Sequence, residues 1–529
     1  MKILVYSEVT AANIAVSLGK PEYSYYFVLK EFTPALKRFG EVIVINCPET
    51  EVDPIFKQCR LQNERCVFLS FSPPHRTTLS LRCPTIPVFA WEFESIPTEI
   101  WNARPENDWR YVLDECGKAI VHSAMTMKSV QEAMGNEFPV ESIPAPVWDK
   151  FAQIRQQLSN ESQINPKKHT INTQRGVVID TNSVSLEPYK PTPATIPNFV
   201  ASNEPKIKSP NSFKPEETVQ ISSGFLSVSR LYLVSWYRLV LRDSISKQTR
   251  KLLANIVRRA LNFLKKNNTT PAVTPNNTQI TEENCTIAQP AVDSLSQTLL
   301  QPKSHTLTLS GVVFTSVFNP YDGRKNWTDM LTAFCEAFRD VSDATLLFKL
   351  THQEYASAVE GMLTCLGRLP PFKCRIVIFH GYLDDSDFRA LISATSFVVN
   401  ASHGEGQCLP LMEFLSCGIP AIAPRNSAME EYISPQIAFV VNSWLDATAW
   451  PHDPRLAYRT LRHQLDWESL VQCYKNAYHC SKETPDVYKK MSSAAVEKMR
   501  HHCSLDSATK KLASILDAPI KSNIEAQHV

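Results

Sequence analysis

The sequence predicts an α/β protein with two doubly wound domains separated by a long low-complexity stretch. Three observations predict it. Strand and helix patterns alternate over residues 1–151, they alternate again over 309–480, and between them Ser, Thr, Asn, Pro, Gln and Lys dominate. A chain of 529 residues is too long for one ordinary core, and a hydrophobic share of 43% suffices for globular folding over most of its length. The formal net charge is +2, so no global field points to nucleic acid, and any basic surface must be local.

The first domain opens on KILVYSEV, a buried-strand pattern. EYSYYFVLKEFTPALKRFG follows as an amphipathic helix, with Gly40 expected at its C-terminal cap. EVIVINC, CVFLSF, IPVFAWEF and KAIVHSA read as strands, MTMKSVQEAMG as a helix ending at Gly135, and VESIPAP as a last strand running into a Pro-rich connector. Apolar strands alternating with helices predict a parallel sheet covered on both faces. In the second domain, SGVVFTSVF, ATLLFKLT, CRIVIFHGYL, SFVVNAS and IPAIAP read as strands, and WTDMLTAFCEAFRDV, DSDFRALISAT and LPLMEFLSCG as helices. Residues 481–529 read as C-terminal helices able to pack back across the first domain.

Residues 152–308 differ in kind. Stretches such as INPKKHTINTQ, EPYKPTPATIPNF and NNTTPAVTPNNTQ cannot bury enough apolar surface to offset chain entropy, so the segment is expected to be a largely disordered insertion. Within it, Phe225 to Lys266 carries ten Lys and Arg against one acid, Asp243, with apolar residues at roughly helical spacing. Such a basic amphipathic helix suits an anionic membrane interface, with Trp236 and Tyr237 near the headgroups; a helical hairpin packed on the protein is the competing reading.

The N-terminus lacks the pattern of a signal peptide, and no apolar run is long enough to span a bilayer. A cytoplasmic location is expected, peripheral on the inner membrane face if 225–266 docks there. The 14 cysteines form no C-x-x-C pair and mostly lie in apolar runs, which reads as reduced, buried side chains and not as a zinc site.

The informative stretch is SFVVNASHGEGQCLPLMEFLSCGIPAIAPRNSAMEEY. A strand is expected to end at Ser402, with the glycine-bearing loop HGEGQC next and a helix opening near Leu409. Ligands of open α/β sheets bind outside the carboxyl ends of strands, where this loop falls. Gly404 and Gly406 permit close backbone approach, and free N–H groups at Gln407, Cys408 and Leu409 suit a phosphate. Glu405 and Glu413 are expected to flank that anion site, because carboxylates accept hydrogen bonds from the diols of sugar and ribose.

This segment resembles the E-x7-E element of retaining glycosyltransferases of the GT-B fold, the family-four, group 1 type. Glu405, Gly406, Leu409, Pro410, Glu413, Gly418 and Pro420 match the family pattern. The resemblance implies two facing Rossmann-like domains. It also implies that Glu413 holds the donor ribose and that Glu405 faces the transferred sugar. In SVFNPYDGRKNWTDMLTAF, Lys325 matches the family's diphosphate-gripping lysine. The family's arginine six residues earlier is Asn319 here, and Arg324 is expected to supply the missing charge; Lys349 is a further candidate. Backbone groups around Tyr382 and Leu383 would contact the base.

The resemblance is strong over 311–433 and weak over 1–150, where the usual glycine pair after the first strand is replaced by Gly19 alone. In the first domain Glu92 stands where many relatives carry a histidine, and is expected to serve the acceptor side; His122 reads more simply as a helix-entry hydrogen-bond partner. No cofactor or metal is expected, since no Asp-x-Asp motif stands in a suitable place. The expected partners are a nucleotide-sugar donor, a glycan or glycolipid acceptor and an anionic membrane surface, with no nucleic acid. A nucleotide-sugar epimerase and a catalytically inactive, membrane-associated scaffold are the alternative readings.

Overall fold

The computed structural model describes residues 1–10, 19, 23–160, 169–191 and 300–517. Most of the expected insertion, including the basic segment 225–266, lies outside the described residues.

The first domain is a six-stranded, all-parallel sheet in the order β2-β1-β3-β4-β5-β6. Its strands are β1 Lys2–Tyr6, β2 Glu41–Val44, β3 Cys66–Phe71, β4 Thr85–Phe89, β5 Ala119–Val121 and β6 Val140–Ser142. Helices α1 Tyr23–Leu36, α2 Pro48–Leu61, α3 Trp109–Cys116 and α4 Ala124–Met134 connect them. Successive residues of β1 enter opposite cores: Ile3 and Val5 pack with Phe32 of α1, while Leu4 packs with Val52 and Cys59 of α2. A strand buried on both faces must be apolar throughout, which is why KILVY carries no alternation.

A connector containing α5 Ala152–Asn160 leads to the second sheet, ordered β14-β13-β12-β9-β10-β11-β7-β8. Six of its strands are parallel: β9 Val312–Phe318, β10 Ala344–Leu350, β11 Arg375–Gly381, β12 Phe397–Val399, β13 Ala421–Pro424 and β14 Ala438–Val441. The chain steps outward from β9 to β10 and β11, then returns to place β12 on the other side of β9. The crevice between β9 and β12 is therefore a topological switch point, the usual ligand position in such sheets. Helices α6 Trp327–Ala337, α7 Ala356–Arg368, α8 Asp385–Ala394 and α9 Leu409–Ser416 make the crossovers. One apolar cluster runs from the first sheet through Leu411 and Phe414 of α9 into Val313 and Leu347 of the second.

The expected domain boundary at residue 309 is corrected. The second sheet begins earlier, with β7 His169–Asp180 antiparallel to β11 and β8 Lys303–Leu309 antiparallel to β7. Strand β8 is the edge of the sheet, and β7 lies between it and β11. Ile171, Leu307 and Leu309 are buried while Thr170 and Thr308 are exposed, so the stretch reads as polar and low in complexity. Smaller corrections follow from local geometry. Gly40 is no left-handed cap; α1 stops at Leu36, and a Cβ at Gly40 would lie 1.9 Å from the Met1 carbonyl oxygen. Strand β4 stops at Phe89 and β12 at Val399, leaving Glu92 and Ser402 in the loops beyond. Helices α2, α3 and α7, and the hairpin β15 Ser443–Ala449 with β16 Tyr458–Leu465, were not anticipated.

After α10 Trp467–Glu483, α11 Pro485–Cys503 and α12 Leu505–Asp517 end the described chain. Helix α12 lies on the first domain. Lys118 Nζ donates to the Ile515 carbonyl at 2.9 Å, Arg65 to that of Leu516 at 2.7 Å, and Lys511 to that of Ser142 at 2.8 Å. Leu512, fully buried there, anchors the helix. Leu512→Ala is expected to lower stability by about 3 kcal/mol in urea unfolding, as cavity-forming core truncations do. A loss under about 1 kcal/mol would show that α12 does not support the first domain.

Candidate active site

Two loops meet at the switch point. The first leaves β9 at Asn319, whose side-chain oxygen accepts from the Tyr321 amide at 3.0 Å and shapes the turn. Asp322 then accepts from the Arg324 amide at 3.2 Å, closing the short 3-10 turn Gly323–Lys325. This turn brings Arg324 and Lys325 to the mouth of the crevice. The second loop leaves β12 and carries Glu405.

Glu405 is 3% exposed and saturated with donors. Lys325 Nζ donates to both carboxylate oxygens, at 2.7 and 2.8 Å. Ser402 Oγ donates at 2.6 Å and Asn400 Nδ2 at 3.0 Å, while the Glu405 amide donates to Ser427 Oγ at 2.8 Å. Burial alone would raise this carboxyl, but Lys325, then Arg324, together with the bonds from Lys325 and Ser402, hold it down to about 2. Asn400, Ser402 and Ser427 were missed in the sequence; the clue was a run of short polar residues at a strand end.

Arg324 joins the two domains. Its guanidinium lies 2.9 Å from Asp322, 3.2 Å from Glu92 and 3.7 Å from Glu405, and donates to the Gly404 carbonyl at 3.1 Å. Although burial works against it, Glu92, Asp322 and Glu405 raise its pKa. Glu92 is itself raised, because burial outweighs the attraction of Arg324.

The glycines of HGEGQC face protein. A Cβ at Gly404 would lie 2.7 Å from the Glu92 carbonyl oxygen, and one at Gly406 would lie 2.8 Å from Ala90 Cβ. Their bareness admits the backbone beyond β4. Gln407 is likewise an interdomain strut: its side-chain oxygen accepts from the Ala145 amide, and its carbonyl accepts from Tyr432 at 3.0 Å. Cys408 precedes α9, which begins at Leu409, in a left-handed conformation with φ of 63°.

Glu413 does not share Glu405's partners. Its Oε1 accepts from Lys150 Nζ at 2.6 Å, and Lys150 also pairs with Glu31 of α1 at 2.8 Å. Burial raises the Glu413 carboxyl despite Lys150. Lys150, in the connector, carried no motif that could have announced it. Tyr382 is 78% exposed just beyond β11, and Leu383 beside it is partly buried. His122 belongs to the core: it is 1% exposed, its Nδ1 lies 2.9 Å from the Ile143 carbonyl, and burial pushes its pKa down to about 4.

Residues 312–450 match the family model described as Glycosyl transferases group 1. That match lies within the second domain, and the two doubly wound domains are the layout that the GT-B resemblance implied. No curated protein matches the chain. Solved structures similar to it include HepE of Anabaena in complex with UDP and glucose, at 10% identity and a TM-score of 0.43, covering 98% of this chain and 100% of that one. A glycosyltransferase from Rickettsia africae is similar at 11% identity and a TM-score of 0.44, covering 98% and 99%. Sucrose-phosphate synthase from Thermosynechococcus elongatus is similar at 10% and 0.44, covering 98% of each chain.

Two outcomes follow from the site. Glu405 is held below the ordinary carboxylate value of 4.5, at about 2, so it contributes stability above 4.5 that is lost as pH falls toward 2. The stability gap between wild type and Glu405→Gln should therefore close across that window in thermal melts; a gap independent of pH would contradict the pairing. Cys408→Gly, which relieves a left-handed conformation, should raise stability by about 1 kcal/mol. A loss in the same melts would show that the thiol's contact with Asn400 outweighs the strain.

Proposed function

We propose that the protein is a retaining glycosyltransferase. It would move a sugar from a nucleoside diphosphate sugar to a hydroxyl of a glycan or glycolipid acceptor. The observation that carries this reading is the buried Lys325–Glu405 pair at the switch point, inside the segment that matches the group 1 family model.

A departing nucleoside diphosphate gains negative charge in the transition state. Lys325, assisted by Arg324, is placed to neutralise it, as a preorganised cation does without reorganisation cost. Asn319, in place of a cation, shapes the loop that carries them. Glu405 faces the sugar in this reading, its ionised form fixed by Lys325. Glu413 takes the ribose hydroxyls: Lys150 binds its Oε1, and Oε2 makes no hydrogen bond among the described residues. The backbone at Tyr382 and Leu383 takes the base. Glu92, reaching the same cluster from the first domain, orients the acceptor hydroxyl. An oxygen of the departing diphosphate receives the acceptor's proton, which keeps attack on the leaving-group face and retains configuration.

The test is nucleoside diphosphate release from labelled nucleotide sugars, in EDTA and in added divalent metal. The wild type should turn over in both, and Lys325→Met should lose at least about 100-fold in kcat/KM while remaining folded. The pairing of Lys325 and Arg324 with carboxylates favours one second reading, a catalytically inactive module. Donor binding without release in the wild type would establish that reading and overturn the first.

A further inference from the structure

The geometry points to Lys349 as a further cation that, beside Lys325, receives the phosphate of an anionic ligand at this site, an inference that rests on the glycosyltransferase reading. At the switch point Arg324 and Lys325 are committed to three carboxylates, Glu92, Asp322 and Glu405. A dianionic diphosphate brought to that cluster alone would meet no surplus of positive charge. Lys349 lies on the neighbouring strand, β10, at the same sheet edge. In register it stands between Val317 of β9 and Phe379 of β11. Leu350, next to it, is opposite Phe318, after which the Asn319–Lys325 loop begins, and the Thr351 amide donates to the Phe318 carbonyl at 3.0 Å.

Lys349 is only partly exposed and has no carboxylate partner among the described residues. Its Nζ donates to the Leu350 carbonyl at 3.2 Å and lies 6.0 Å from the Phe379 ring centroid. Two ammonium protons are left for a ligand or water. Its neighbours are uncharged or weakly basic: His380 on β11, whose Nε2 lies 2.7 Å from the His352 carbonyl oxygen, and His352 itself. Shielding from water lowers the Lys349 pKa to about 8, as befits a cation with no counter-charge beside it. Gly19, of the first domain, comes near this corner. Gly19, with φ of 90°, approaches so closely that a Cβ there would lie 1.8 Å from His352 Cδ2. A desolvated, uncompensated ammonium is costly to keep, and a phosphate between the two domains supplies the missing charge. Lys349 thereby takes the part of the arginine that Asn319 replaces.

The experiment compares wild type, Lys349→Met and Lys349→Arg by calorimetric titration with UDP, GDP and ADP and with the three parent nucleosides. For whichever diphosphate the wild type binds, Lys349→Met should lose about 10-fold or more in affinity while the matching nucleoside binds unchanged, and Lys349→Arg should recover most of the loss. Without ligand, Lys349→Met should melt at or above the wild-type temperature, since it removes a shielded charge; a structural lysine would give the opposite. Equal diphosphate affinity in wild type and Lys349→Met overturns the role of Lys349 and leaves the donor site standing. Failure of the wild type to bind any of the three diphosphates overturns both.

Discussion

The arrangement depends on one buried ionic cluster. Lys325 sits on Glu405, and Arg324 bridges Glu405, Asp322 and Glu92. A carboxylate as buried as Glu405 is tolerable only when its oxygens are fully met, and every one of its donors comes from a loop at the β9–β12 switch point. The pairing therefore fixes both loops at once. Because Arg324 also reaches Glu92, it fixes the second domain against the first.

The residues that mark the site also act as struts. Gly404 and Gly406 admit the Ala90–Glu92 backbone, Gln407 holds the Ala145 amide, and Glu431 accepts from the Ala124 amide at 2.6 Å, at the start of α4. Lys150 joins Glu413 to Glu31. Under the proposed function, a donor entering here exchanges protein carboxylates and amides for phosphate and hydroxyl groups, so donor binding and the domain contact share the same atoms. Such coupling ties the geometry of the acceptor side to occupancy of the donor side.

Much of this was legible in the sequence because the strands buried on both faces announce themselves. CVFLSF, ATLLFKL and CRIVIFH are dominated by apolar residues with no alternation, and the HGEGQC loop falls between a strand and a helix. The pair at the β8 end was harder: where β7 meets β8, Ile171, Leu307 and Leu309 are buried but Thr170 and Thr308 are exposed, and these threonines blend into the polar insertion. The juxtaposition of Lys325 with Glu405 was implied by the family pattern. The contacts around them were not: Glu92 was expected on the acceptor side, not paired with Arg324, and Lys150 and Ser427 come from separate elements with no spacing signal. The same limit applied to Glu413. Helical spacing put it one turn beyond Leu409, but only tertiary packing directs it to Lys150 and not to the cluster at Glu405.

The most direct measurement is a crystal structure of the protein with a nucleoside diphosphate bound. The account predicts phosphate oxygens within hydrogen-bonding distance of Lys325 Nζ at the β9–β12 crevice, with Glu405 still ionised beside it. Phosphates bound elsewhere, with Lys325 bonded to Glu405 alone, would contradict it.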